Sequence, residues 1–337
     1  MKRIVSFILC AAMLVTALTL VSCGGDNTVK FGAGSYATAS ATSATAANEE
    51  TGAAAKNGTG TLEVTAAAVL VKNGKIVKCV LDCMSSAVNH NANGEAIKTA
   101  SFKTKKELGD NYNMVAYGHA IAEWYAQAAA FEALVVGKTV DQIKALVVEG
   151  GKGTQDVINA GCTITVIEFV NAIEKAVASA KTTTATDIKL SMVTSQTATN
   201  YTPENEETGA AAKDGCNEVN TTIFAAAVDA EGKIVDCTYD CAQAKFTFDQ
   251  NGASKFGAEK VISTKRELGD SYGMVAYGNA VAEWYAQADA FAAKCVGKTG
   301  LEVASLMGSD YKGVADVQSA GCTIYVSDFV AAAAKIA

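Results

Sequence analysis

The chain has 337 residues, half of them apolar, with 28 basic against 35 acidic side chains and a formal net charge of −7. This acidic balance argues against nucleic acid as a partner, because such binding needs a basic surface that releases counterions. The length suits a short leader followed by two units of about 150 residues, each large enough to bury its own core.

Residues 1–23 are predicted to form a lipoprotein signal peptide. Lys2 and Arg3 provide a positive start, and residues 4–20 form an apolar run too short for an ordinary membrane-spanning helix. The following string, Leu20-Val21-Ser22-Cys23, resembles the lipobox of bacterial lipoproteins. That resemblance implies cleavage before Cys23, lipid attachment to Cys23, and a location on the outer face of the bacterial cell membrane. The alternative is a plain secretory signal that contains a cysteine.

The rest of the chain repeats itself. A tether at residues 24–28 precedes a first copy at residues 29–181, a polar linker at 182–186 and a second copy at 187–337. The low-complexity composition continues to about residue 60, so a longer tether is the alternative. Residues 48–56 recur as 205–213, however, and a repeated segment is more typical of folded structure than of a linker.

Each copy is predicted to contain strands first and helices afterwards. In the first copy, residues 62–71 and 75–83 form a hairpin around Asn73-Gly74. One long Ala-rich helix is expected at 114–136, with Tyr117, Ile121 and Trp124 on one face. The patterns Thr139…Gln142 and Thr299…Glu302 predict capping boxes that each open another helix. A short strand at 164–166 and a final helix from about Glu168 complete an α+β unit that is used twice.

Eight cysteines follow Cys23, an even number that in an exported protein would normally suggest disulfides. Cys79 and Cys83 nevertheless lie four residues apart on one predicted strand, about 13 Å from each other and beyond disulfide reach. Alternation places them on the face of Val77 and Leu81, so they are predicted to be buried thiols, as are Cys237 and Cys241. No Cys-x-x-Cys knuckle supports a metal site.

Both copies keep the string Ala-Gly-Cys-Thr ahead of the final helix, at residues 160–163 and 320–323. With the strand pair and central helices before it, this order is similar to the FMN-binding domain of membrane redox complexes and flavinylated surface lipoproteins. In that family a flavin transferase joins FMN through a phosphoester to the last threonine of an Asp-x-x-Ser/Thr-Gly-Ala-Thr motif. The resemblance implies two tandem domains that carry covalent FMN on Thr163 and Thr323.

The resemblance also assigns the neighbours of these threonines and shows where the chain departs from the motif. Gly161 and Gly321 match the motif glycine, and Cys162 and Cys322 replace its alanine. Ala160 and Ala320 stand where the family has a hydroxyl residue, and Asp156 and Asp316 lie one position too early. A second interpretation stays open, in which the glycine makes a turn and the threonine is an ordinary strand residue.

Aromatic residues kept in both copies have two interpretations. Tyr117 and Trp124 recur as Tyr277 and Trp284, and such side chains are suited to the apolar slot that an isoalloxazine ring requires. An aromatic stripe at helical spacing is equally typical of a packed core. The histidines offer no alternative chemistry, because His90 and His119 are replaced by other residues in the second copy. A catalytic triad or zinc site built on histidine in both copies is therefore excluded.

The sequence thus predicts an electron carrier more than a turnover enzyme. It would hold one FMN per domain and pass electrons from a membrane-bound reductase to an extracellular acceptor, after modification by a flavin transferase. The alternative is a surface lipoprotein without a redox role that binds a small ligand or an envelope partner. A third reading keeps the flavin but holds it without a covalent bond to either threonine.

Overall fold

The computed structural model describes residues 28–337, so the predicted signal peptide, Cys23 and residues 24–27 of the tether lie outside the described residues. The described chain combines antiparallel sheets with helices, which confirms the predicted α+β class. Between residues 28 and 337, no helix has both the length and the apolar character needed to cross a membrane.

The first copy begins with a meander of long antiparallel strands. These are β1 (Val29–Ala41), β2 (Gly58–Lys72), β3 (Lys75–His90) and the short β4 (Ala96–Ile97). Asn73 and Gly74 turn the chain between β2 and β3 with φ of 54° and 73°, a conformation that suits a two-residue hairpin turn. The predicted hairpin is confirmed, and its strands extend well beyond the predicted ends.

Six helices follow in the first copy, and they cover one face of this sheet. They are α1 (Lys105–Leu108), α2 (Met114–Gly118), α3 (Trp124–Val135), α4 (Val140–Lys144), α5 (Gln155–Asn159) and α6 (Ile167–Ala178). The side chains of β2 and β3 that face them form a core with α3 and α6 that includes Leu81, Cys83 and Phe131. Cys79, Cys83, Cys237 and Cys241 are all buried, as predicted, whereas Val77 is exposed.

The second copy builds the same succession of elements. The two-residue strand β5 (Lys181–Thr182) lies at the junction with the predicted linker, and the strands of the second copy are β6 (Asp187–Thr199), β7 (Gly215–Val228), β8 (Ile234–Phe248) and β9 (Lys260–Ile262). Its helices are α7 (Lys265–Leu268), α8 (Met274–Gly278), α9 (Trp284–Cys295), α10 (Ala315–Ser319) and α11 (Ser327–Ala334). Both β5 and β9 pair with β1, so the second half of the chain also extends the sheet of the first.

The two sheets pack face to face through the sides that the helices leave free. Apolar side chains from both copies form this central core, including Leu62, Val64, Met84, Val219, Ile223 and Phe246. The layers therefore run helices, sheet, sheet, helices. Each sheet is covered on both faces, which explains the nearly continuous apolar runs in β2 and β7.

Reciprocal ion pairs join the copies at the edges of this sandwich. Lys175 of α6 contacts Glu267 of α7 at 2.5 Å, and Lys335, just after α11, contacts Glu107 of α1 at 2.7 Å. Each lysine and each glutamate is 160 positions from its counterpart. The copies thus make the same contact twice in opposite directions, as two subunits do across a two-fold axis.

The prediction of a single long helix at residues 114–136 is wrong. The chain forms α2, leaves helical geometry, and starts again at α3. His119 ends α2 in the left-handed conformation with φ of 51°, and both Glu123 carboxylate oxygens accept backbone N–H groups at the start of α2, from Met114 and Val115. Tyr117 consequently does not share a face with Trp124.

The remaining predictions for the first copy concern a short strand, two capping boxes and the repeated segment at residues 48–56. The short strand at 164–166 is reduced to one bridge between Thr165 and Lys152. Thr139 forms its capping box with Gln142 at the start of α4, while Thr299 and Glu302 make the same reciprocal bonds ahead of a 3₁₀ helix at Glu302–Leu306. The repeated segment 48–56 is folded, with Asn48 paired to Ala53, as is its counterpart in the second copy.

A histidine lies buried between the two sheets. The His90 ring stacks on Phe248 with ring centroids 4.1 Å apart, and its Nε2 lies 3.0 Å from the carbonyl oxygen of Gly252. The Nδ1 atom has no hydrogen-bond partner in the described chain. Burial lowers the pKa of His90, because a charged imidazolium loses its hydration there.

This histidine predicts a pH-dependent stability. The unfolded chain takes up a proton near the ordinary histidine pKa, about 6.5, whereas the folded chain resists it, so the free energy of unfolding should fall as the pH drops below that value. The His90→Phe variant should lose part of this slope in urea unfolding curves measured at about pH 7.5 and 5.5. His119→Asn, which introduces the residue of the second copy at an exposed position, should leave the slope unchanged. An equal slope in wild type and His90→Phe would contradict the argument.

Candidate functional site

The Ala-Gly-Cys-Thr string makes the same turn in both copies. In the first copy α5 ends at Ala160, and Gly161 reverses the chain with φ of 100°, a conformation that disfavours a side chain. The Cys162 N–H group donates to the carbonyl oxygen of Val157, and the Cys162 side chain is buried. Thr163 then emerges at the surface. The second copy repeats the turn with φ of 106° at Gly321.

A buried glutamine holds the threonine in each copy. Gln127 of α3 accepts two bonds at its Oε1, from the Thr163 backbone N–H at 2.8 Å and from the Thr163 hydroxyl at 3.1 Å. Its Nε2 donates to the carbonyl oxygen of Ala122 at 2.8 Å. Gln287 makes the same three contacts around Thr323. Each amide thus uses both its oxygen and its nitrogen, and the threonine hydroxyl acts as a donor.

A cavity of about 520 Å³ opens beside Thr163 in the first copy. This volume falls within the range of about 300–1,000 Å³ that is typical of small-molecule sites. The wall comes from β2, β3, the segment from α1 to the start of α2, the start of α3, the turn and α6. It consists of Glu63, Thr65, Cys83, Lys105, Tyr112, Met114, Trp124, Thr163, Ile164, Thr165, Glu168 and Phe169.

A second cavity of about 330 Å³ occupies the corresponding place in the second copy. Nine of its wall residues are direct counterparts of wall residues in the first cavity, namely Asn220, Thr222, Cys241, Lys265, Tyr272, Trp284, Tyr325, Asp328 and Phe329. The wall reaches Tyr325, two residues beyond Thr323, but does not include Thr323 itself. The structure therefore repeats the cavity in both copies, and the motif threonine belongs to the wall in the first copy.

A lysine lies over aromatic rings in each cavity. The Lys105 Nζ is 5.5 Å from the centre of the Tyr112 ring and 5.7 Å from that of Trp124, distances typical of cation–π contacts. Lys265 lies 5.1 Å from Tyr272 and 5.7 Å from Trp284. Burial alone would lower the pKa of both lysines, but neighbouring groups, led by Cys83 and Glu63 in the first copy, outweigh it and raise the pKa. Both lysines are therefore charged at neutral pH.

Trp124 and Trp284 are both core residues and cavity-wall residues, so both interpretations of the conserved aromatic side chains apply to them. Each indole packs edge-on against a core phenylalanine, Phe169 at 5.6 Å or Phe329 at 5.8 Å between ring centres, and is almost fully buried. Each indole also lines its cavity. Tyr117 and Tyr277 differ, since they lie outside both walls and are 82% and 90% exposed.

The cysteines near the sites keep their protons. Burial raises the pKa of Cys162 and Cys322 to about 11, and that of Cys241 to about 11. Burial also raises the pKa of Cys83, whose sulfur lies 3.6 Å from a Glu63 carboxylate oxygen. These thiols are small apolar fillers and poor nucleophiles at neutral pH. Among residues 28–337, no group of three or more His, Cys, Asp and Glu side chains is arranged to hold a metal ion.

Sequence reasoning missed two features of these sites. Gln127 and Gln287 end a string of five identical residues, so their retention was visible, but nothing in the sequence showed which atoms they bind. Glu123 and Glu283 are also identical in the two copies, but the sequence does not distinguish a structural contact from a solvated helix face. Their carboxylates hold the start of α2 and α8, and Glu283 is buried.

No protein-family model matches the chain, and comparison with curated proteins and with solved structures gives no significant match. The geometry of the two cavities therefore has to support any assignment of function.

Replacing the buried glutamine should destabilise the fold. In Gln127→Leu, the Thr163 N–H and the Ala122 carbonyl lose the partly buried hydrogen bonds that the buried amide makes, which costs about 1–3 kcal/mol of unfolding free energy. Chemical unfolding of the variant measures this loss. Gln155→Ala, at an exposed position of α5, should change stability by less than about 0.5 kcal/mol. Equal effects of the two substitutions would show that the buried amide contributes nothing special.

Proposed function

We propose that the chain is a membrane-anchored electron carrier outside the cytoplasm, holding one FMN in each copy. The fold would be a fused pair of FMN-binding-like domains, with FMN attached through a phosphoester to Thr163 and Thr323. Lipid-modified Cys23 would anchor it to the outer face of the bacterial cell membrane. A membrane-bound reductase would supply electrons, and an extracellular acceptor would receive them.

The observation that carries this proposal is a held threonine in the wall of a ligand-sized cavity in the first copy, with the same held threonine and a corresponding cavity in the second. Thr163 is exposed, so a transferase can reach it, while Gln127 fixes its backbone and hydroxyl. The hydroxyl donates a hydrogen bond to Gln127 Oε1, so its oxygen lone pairs remain accessible to the transferase, which would supply the base that takes the hydroxyl proton and the phosphate donor with its leaving group. A threonine that served only the local strand would need no adjoining cavity, and the predicted strand is only a single bridge.

The residues of the cavity fit a flavin. Trp124 and Tyr112 present aromatic surface to a flat ring, and the Lys105 ammonium lies within the same wall. Gly161 lets the backbone next to the threonine approach a phosphate closely. When bound, FMN supplies reversible electron transfer, and the protein supplies orientation and local charge. Thr163 would hold the phosphate, and the aromatic wall would hold the ring.

The wall chemistry favours a carrier over a hydrolytic enzyme. The only thiol in the wall of the first cavity, Cys83, has a raised pKa, and so does the Glu168 carboxyl, chiefly through burial. Within the described part of the chain, neither cavity wall contains a histidine. The wall therefore offers no activated nucleophile with a matched base.

Intact mass under denaturing conditions tests the proposal. Protein from its native host, or co-expressed with a flavin transferase, should gain the mass of one or two FMN groups. Thr163→Ala and Thr323→Ala should each remove one group, and the double variant should remove both. Thr165→Ala, which alters an exposed threonine in the same cavity wall, should keep the full mass.

Each other outcome has a defined meaning. Flavin that leaves on denaturation would keep the carrier and remove both threonines from the site. An unmodified mass with a colourless native sample would reject the flavin and leave a surface lipoprotein that binds another small ligand. Additional mass retained in the double variant would place the attachment elsewhere.

A further inference from the structure

The two cavities differ in charge at one position beside the lysine. Glu63 of β2 pairs with Ser85 of β3, and Asn220 of β7 pairs with Gln243 of β8, at equivalent places in the two sheets. A carboxylate in the first cavity is therefore replaced by a neutral amide in the second. Both residues line their cavities together with the lysine.

In the first cavity the lysine already has an anionic partner. The Lys105 Nζ lies 3.0 Å from Glu63 Oε1, and the Lys105 side chain is largely buried. A second carboxylate, Glu168, is part of the same wall and accepts a bond from the Thr65 hydroxyl at 3.1 Å. An additional anion at this place would meet two carboxylates around one ammonium group.

The wall of the second cavity also contains two carboxylates, Glu218 and Asp328, but neither forms an ion pair with Lys265 as Glu63 does with Lys105. Glu218 accepts bonds from Asn220 at 3.1 Å and from Gln243 at 2.6 Å, and it forms an ion pair with Lys245 at 3.0 Å. Asp328 accepts a bond from the Ser195 hydroxyl at 2.8 Å. The ion pairs found between residues 28 and 337 do not include Lys265, which lies against Tyr272 and Trp284.

We propose that the second cavity binds an anionic ligand group, a phosphate or a similar small oxyanion, against Lys265, and that the equivalent place beside Lys105 in the first cavity does not. Lys265 supplies the charge, and the wall residue Ser327 adds a neutral hydroxyl where the first copy has Ile167. The selectivity arises because Glu63 occupies the place of the anion beside Lys105. The inference rests on the proposed function only in treating the two cavities as ligand sites.

The tryptophans provide one reporter for each cavity. The chain contains two, and each lines one of the cavities. The indole N–H resonances of the ¹⁵N-labelled full chain, made without a flavin transferase, are followed while inorganic phosphate replaces chloride at constant ionic strength. Trp124→Phe and Trp284→Phe assign the two signals. The Trp284 signal should shift with saturation, and the Trp124 signal should stay in place or need at least about tenfold more phosphate.

Exchanging the residues that the copies already carry provides the matched variants. Asn220→Glu should weaken the Trp284 response at least about tenfold, and Glu63→Asn should create a response at Trp124. Lys265→Gln should abolish the response at Trp284, while the circular dichroism spectrum confirms that each variant is folded.

Equal responses of the two signals, or none at Trp284, would overturn the inference, as would a Trp284 response that survives Lys265→Gln. Because the labelled sample is made without a flavin transferase and carries no flavin, its response to phosphate does not depend on the outcome of the mass measurement. Phosphate binding at Trp284 in a chain that never gains FMN would retain the inference and reject the covalent flavin.

Discussion

The contact on which the structure depends is the packing of the two sheets against each other. A sheet of three long strands with helices on one side would expose its other apolar side to water, and here each copy covers that side of its partner. The buried apolar area supplies the main stabilising free energy of such a layer. The copies are consequently halves of one sandwich. The second half further extends the first sheet through β9, and β5, in which the predicted linker at 182–186 begins, also pairs with that sheet.

The two cavities lie on the helix-covered sides of the sheets, away from the face where the sheets meet. Their walls therefore depend on sheets that this packing holds in place. β2 and β3 present Thr65 and Cys83 outward, and α3 and α6 lie over them, so that the rigid layers fix the cavity walls. One buried amide, that of Gln127, is then enough to fix the position of Thr163 in the turn after α5. Glu123 adds a second fixed point by holding α2 beside the cavity. Short irregular segments thus acquire defined positions from regular neighbours.

The local patterns in the sequence predicted much of this structure, and the errors concern long-range packing. The Asn73-Gly74 turn, the capping box at Thr139 and the buried cysteines all follow from chemistry within a few residues. The break after Gly118 was missed because an Ala-rich stretch has high helix propensity, whereas the break is stabilised by a carboxylate several residues away. The face-to-face sheets were missed because apolar runs do not identify the surface that covers them.

The site was predictable to a similar extent. The repeated strings drew attention to Thr163 and Trp124, which line one cavity, and also to Tyr117, which does not. Identity between the two copies does not show whether a residue lines the cavity or stabilises the fold. Gln127 and Glu123 were retained to make backbone contacts, and this is visible only when the folded partners are known. Neither Lys105 nor Glu63 belongs to a recognised motif, so their pairing across the cavity required coordinates.

The reciprocal contacts between Lys175 and Glu267 and between Lys335 and Glu107 describe the symmetry of a dimer made within one chain. In a dimer of identical subunits every substitution appears on both sides of the axis, so both sites must change together. Covalent joining removes that obligation while the self-complementary interface is kept. One half can then drift toward a new preference while the other retains the old one. A fused pair of this kind is a way to obtain two unequal sites from one architecture.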